Sequence, residues 1–154
     1  MSSHLVNLSW NRSTEDFNYK TFNRTHAVVF PGGETIDVTS APEFLGDPKL
    51  TNPEELFVTA LSSCFMLTFL SITANKGYIV NRYVDQAEGL LTKNAEGKMA
   101  MTEVSLHPSI VFQEDKAPDN TTLNELLDKA HANCFIANSV KTSVRIKLTY
   151  PEII

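Results

Sequence analysis

Two thiols are the side chains in this sequence best suited to covalent chemistry. Cys64 sits inside a long apolar segment, and Cys134 follows an amphipathic stretch, between Asn133 and Phe135. They are 70 residues apart, so neither a CxxC redox loop nor a zinc knuckle can be built from them. A buried cysteine often does no more than fill core space. A working one acts through its thiolate, the nucleophilic form. A cysteine hydrolase would need an imidazole within reach of a thiol, with His131 or His26 as the candidate. Otherwise His26, His107 and His131 are scattered singly, as surface histidines are. The sequence contains no GxGxxG, P-loop, HExxH or GxSxG pattern. Neither a metal nor an organic cofactor is expected.

The elements that must hold these thiols are marked by local signals. Thr51-Asn52-Pro53-Glu54-Glu55 reads as a helix start. Asn52 can cap, Pro53 suits the first helical position, and Glu55 can close a capping box. Lys76 and Gly77 read as the stop. The spacing predicts a helix from about Pro53 to Lys76, apolar on every side and about 35 Å long. A domain of this size could barely wrap such a helix, which points to a partner chain. Leu56–Ala74 is uncharged over nineteen residues, close to membrane-span length. Its six hydroxyl residues (Thr59, Ser62, Ser63, Thr68, Ser71 and Thr73) and the strand-like Tyr78–Leu91 after it favour a core helix instead.

Before that helix, Leu5–Trp10 and Phe17–Phe30 are expected as edge strands. His26–Phe30 and Thr35–Thr39 form a hairpin around Pro31-Gly32-Gly33-Glu34. After it, Tyr78–Thr92 and Lys98–Phe112 are expected as two strands. A second helix runs from Thr122, its cap, to about Asn133, with Leu123, Leu126, Leu127 and Ala130 as its apolar stripe. A last strand alternates Val144, Ile146 and Leu148 with Arg145, Lys147 and Thr149. Asp115 and Asp119 read as a solvated loop. The expected class is α+β with a mostly antiparallel sheet, as a single domain over residues 1–154.

Composition bounds the setting. The 154 residues are 42% hydrophobic and 20% charged, values of an ordinary globular domain. The net charge of −5 excludes a general nucleic-acid or anionic-membrane surface. The N-terminal segment lacks the basic start and apolar run of a signal peptide. Cytoplasmic localisation and reduced thiols are therefore expected.

Asn52-Pro53-Glu54-Glu55-Leu56, followed by Ser62-Ser63-Cys64-Phe65-Met66, resembles the first cysteine signature of the OsmC/Ohr family. These are the osmotically inducible protein C and organic hydroperoxide resistance proteins, and the chain is closest in kind to the OsmC-like subgroup. Ala130-His131-Ala132-Asn133-Cys134 resembles the second signature, and Asn23-Arg24-Thr25-His26 resembles the family's N-terminal arginine region. The likeness in element order runs from about residue 15 to 150. Where the family usually has proline after the second cysteine and serine two beyond, this chain has Phe135 and Ala137.

The resemblance implies an OsmC-like fold, with mostly antiparallel sheets on the central helix of an intertwined homodimer. It also implies a thiol-dependent peroxidase. By position Cys64 is peroxidatic, Cys134 is resolving, Glu54 is the site glutamate and Arg24 the site arginine, with Arg12 the second candidate. Phe57, Leu61 and Phe65 flank Cys64 and would favour an organic hydroperoxide as substrate. The reductant would be an external dithiol, by analogy a dihydrolipoyl group on a lipoylated protein. An arginine fits the physics. A free thiol is only slightly ionised at neutral pH, and each tenfold gain in thiolate needs about 1.36 kcal/mol. One guanidinium about 4 Å away supplies about 4 kcal/mol at an effective dielectric of about 20. The non-enzymatic alternative is an OsmC-like small-ligand-binding or stress-response protein with little peroxidase turnover.

Overall fold

The structure, a computed structural model, describes residues 1–149. The chain gathers into two units, residues 1–56 and residues from 57 onward. Its order is strands, helix, strands, helix, strand, and the class is α+β.

The first unit is built on an antiparallel sheet of β1 (Asn7–Ser9), β2 (His26–Val29) and β3 (Thr35–Val38), in that order. The β2–β3 hairpin closes where expected. Gly33 donates to the Phe30 carbonyl at 2.9 Å and has φ 88°, a conformation that glycine adopts without steric cost. Val28 and Val38 supply the buried face. The expected strand over Phe17–Phe30 is realised only at His26–Val29. Upstream, Asp16 accepts from Asn18 Nδ2 (2.6 Å) and Thr21 Oγ1 (2.8 Å), and Phe22 donates to the Asn18 carbonyl. Such local side-chain bonds offer the backbone an alternative to a strand ladder.

Helix α1 (Pro53–Asn75) begins with the expected capping box. Glu55 N–H donates to Asn52 Oδ1 at 2.9 Å, and Asn52 N–H returns a bond to Glu55 Oε2 at 3.2 Å. Gly77, with φ 83°, donates to the Ala74 carbonyl and ends the helix. By length and composition α1 is long and apolar enough to cross a membrane. However, its buried positions Leu61, Phe65, Phe69 and Thr73, four residues apart, form a single stripe toward the core of the second unit.

In that unit each of the two expected strands is broken in two. β4 (Val80–Asp85) and β5 (Glu88–Lys93) divide at Gln86 and Ala87, and β6 (Met99–Leu106) and β7 (Pro108–Phe112) divide at His107. β4 pairs with β7 and β5 with β6, both antiparallel, so the whole is one long bent hairpin. Asp85 holds the bend. One carboxylate oxygen accepts from the His107 N–H at 2.6 Å, and the other accepts from the Ser62 hydroxyl at 2.5 Å.

Helix α2 (Asn120–Asn133) is capped by Asp119, not by Thr122 as expected. Asp119 Oδ1 accepts from the Thr122 N–H at 2.7 Å, which also draws its carboxyl below the usual range. Leu126, Leu127 and Ala130 turn inward from α2. β8 (Ser143–Ile146) then lies parallel to β6, with Val144, Ile146 and Leu148 packed on the core and Arg145 outward beside Glu103.

Candidate active site

Both thiols belong to the second unit and meet in its core. Cys64 lies in the middle of α1 and Cys134 at the C-terminal cap of α2. The stripe from α2 seats that helix end against α1, so the chain after Asn133 turns directly over Cys64. Cys134 is 1% exposed, whereas Cys64 is partly open. Both are free thiols, and the Cys134 S–H donates to the Cys64 sulfur at 2.9 Å.

The segment after Cys134 is folded tightly. Asn138 N–H donates to the Cys134 carbonyl at 3.0 Å, Ser139 N–H donates to the Ile136 carbonyl at 3.0 Å, and Ala137–Ser139 forms a turn of 3₁₀ helix. This fold brings the main chain of residues 135–137 close to the two sulfurs. For Cys64, burial pushes the thiol up. That is outweighed by the Cys134 thiol and by the N–H groups of Ile136 and Phe135, and the result is below the ordinary cysteine range. Thr68 Oγ1 donates to the Cys64 carbonyl at 2.8 Å, which commits its one proton. For Cys134, burial again pushes the thiol up, and its own proton serves as donor to Cys64. The Ala137 and Ile136 N–H groups offset this only in part, and Cys134 is pushed up to about 11. Two identical side chains are thus driven apart, one toward thiolate and one held as thiol.

The other expected site residues are distributed as follows. Arg24, in the first unit, donates to the Phe22 carbonyl at 2.9 Å and to the Tyr19 carbonyl. Its guanidinium lies 4.1 Å from the Phe22 ring centroid and 5.4 Å from that of Tyr19. Arg12 donates to the Glu15 carbonyl at 3.0 Å. Glu54 Oε2 is buried with no hydrogen-bond partner among the described residues, and Glu54 and Arg24 form no ion pair there. Leu61 (0% exposed) and Phe65 (1%) were expected to flank substrate. The structure gives them to the core instead, with Phe65 stacked on Phe69, because they point along the same stripe as Phe69 and Thr73. Phe57 packs on that core while lining a surface cavity. The donors at residues 135–137 are not named by any side chain. The one sequence signal for them is Phe135 itself, since proline at that position would have no N–H to offer.

Comparison with known proteins agrees with this architecture. The family described as OsmC-like protein matches residues 46–149. Among solved structures, an OsmC-like protein of unknown function from Vibrio cholerae is 41% identical. It superposes with a TM-score of 0.93 over 97% of this chain and 100% of its own. The organic hydroperoxide resistance protein OsmC from Legionella pneumophila shares the fold at 20% identity and a TM-score of 0.71, covering 97% of each chain. The uncharacterized protein YmaD of Bacillus subtilis is 24% identical over 128 residues, 82% of this chain and 85% of that one. With most of its length matched by the family pattern and nearly all of it by a relative above 40% identity, this chain belongs to the OsmC-like family.

Proposed function

We propose that this protein is a cysteine-based peroxidase that reduces organic hydroperoxides to alcohols in the cytoplasm. The supporting observation is the pair of free sulfurs 2.9 Å apart, of which the partly open one is drawn toward thiolate and the buried one is kept protonated. The Cys64 thiolate attacks the terminal oxygen of ROOH. An S–O bond forms, the O–O bond breaks, and the alkoxide leaves and takes a proton from solvent, giving a Cys64 sulfenic acid. Cys134 then attacks that sulfur. The S–S bond forms as the S–O bond breaks, and hydroxide departs with the thiol proton as water. An external dithiol, such as a lipoylated protein, is oxidised to its own disulfide as both cysteines return to thiols.

Arg24 and Glu54 are assigned to the same reaction by the family resemblance. Arg24 would balance the developing negative charge, and Glu54 would hold its planar fork. Among the described residues the Arg24 guanidinium meets neutral carbonyls and ring faces and no carboxylate, and one Glu54 oxygen is buried without a partner. The working form is proposed as a homodimer, because α1 is apolar all round yet buries one stripe and leaves Leu67 59% exposed.

The test is thiol titration with cumene hydroperoxide followed by turnover with dithiothreitol. Two thiols per chain should be lost, then many equivalents of peroxide consumed. Cys64→Ser should abolish both, and Cys134→Ser should trap a sulfenic acid that dimedone labels. Peroxide consumption by the Cys64→Ser protein would refute the mechanism. Loss of thiols without turnover would favour the ligand-binding alternative, which the departures at Phe135 and Ala137 motivate.

A further inference from the structure

We infer that the second unit carries a separate binding site for an amphipathic anion, at the cavity between the β5–β6 turn and the segment leading into β8. The cavity is about 710 Å³, within the range that holds small ligands. Phe57, Met101 and Val140 give it an apolar wall, and all three pack on the core cluster beneath. Lys93 and Lys141 give it charge. No carboxylate among the described residues lines it, although the chain as a whole carries a net charge of −5. Among the described residues neither lysine forms an ion pair.

The remaining polar groups sort the ligand by sign. Asn94 Oδ1 already accepts from the Glu96 and Lys98 N–H groups, each at 3.0 Å, so Asn94 can offer the cavity only its NH₂ donors. The Thr142 and Thr102 hydroxyl protons are committed to the Met101 and Leu90 carbonyls, at 2.7 Å and 3.4 Å, so these hydroxyls can only accept. What faces a ligand is therefore two ammonium groups, an amide donor, two hydroxyl oxygens and hydrocarbon, and the only charges among them are positive. A cation would be repelled, and a neutral apolar molecule would leave both lysines unused. An anionic head on a short apolar tail matches both the charges and the hydrocarbon. The ammonium groups are point charges that accept carboxylate or phosphate, so the shared chemistry is a single anionic head.

Calorimetric titration of the full chain with decanoate, decyl phosphate and decanol tests the site. Either anionic probe should bind at least tenfold more tightly than decanol, and the tighter of the two identifies the head group. Lys93→Gln with Lys141→Gln, both at exposed positions, should weaken anion binding at least tenfold with the circular dichroism spectrum unchanged. The charge-keeping Lys93→Arg with Lys141→Arg should restore it to within about threefold. Equal binding of decanol, or anion binding unaffected by the double glutamine change, would overturn the proposal.

Discussion

Replacing Cys134 by alanine should make Cys64 a poorer nucleophile, although Cys134 itself does not attack the peroxide. The first group favouring the Cys64 thiolate is the Cys134 thiol, donating at 2.9 Å. A hydrogen bond to a charged acceptor contributes about 1.5–3 kcal/mol when buried. Cys64 is partly open to solvent, so screening reduces this to about 1 kcal/mol. That corresponds to about fivefold less thiolate at a pH below the point of half-ionisation. The sign follows from the direction of the shift. A lowered thiol ionises at lower pH, and removing the donor moves the whole ionisation curve to higher pH. The assay is the rate of alkylation by iodoacetamide from pH 5 to 10, with the site read by mass spectrometry. Wild-type protein should be labelled at Cys64 throughout, and Cys134 should react only as the pH nears its value of about 11. Cys134→Ala should slow Cys64 labelling about fivefold at neutral pH. Cys134→Ser, whose hydroxyl can still donate, should stay within about twofold of wild type. Unchanged or faster labelling in a folded Cys134→Ala protein would refute the reasoning.

Two further predictions rest on the same local physics. Phe135→Pro removes one main-chain donor from Cys64, and it should also move the alkylation profile to higher pH. The backbone can accept it, because Cys134 already has ψ 112° and the Phe135 ring is 81% exposed, so the thermal midpoint should hardly change. Asp119→Ala removes the cap of α2 and should lower the midpoint of urea unfolding. Because α2 seats Cys134, peroxide turnover should fall only under conditions where that unit begins to unfold.

The parts of the fold set by neighbours in the chain were legible from residue order alone. The α1 capping box, its glycine stop and the β2–β3 turn are built from groups within about four residues of one another. The alternation in β8 likewise declares its buried face. Asp119 was misread although its partner, the Thr122 N–H, is only three residues away. Cap, turn and solvated loop draw on the same polar residues, and only the position of the first helical N–H separates them.

What the sequence could not reveal lies across long separations. The bend at Gln86–Ala87 and His107 follows from Asp85 bonding to both His107 and Ser62, residues 22 and 23 positions away. That Leu61 and Phe65 serve the core while Phe57, one turn earlier on the same stripe, also reaches a cavity depends on how far along α1 the core of the second unit extends. By itself the sequence determined that two thiols, a long apolar helix and an α+β order were present. Only tertiary packing decided that α2 ends against the middle of α1, so that Cys134 and the amides after it become the donors to Cys64. Amide groups are the same in every residue but proline, and folding alone assigns their direction.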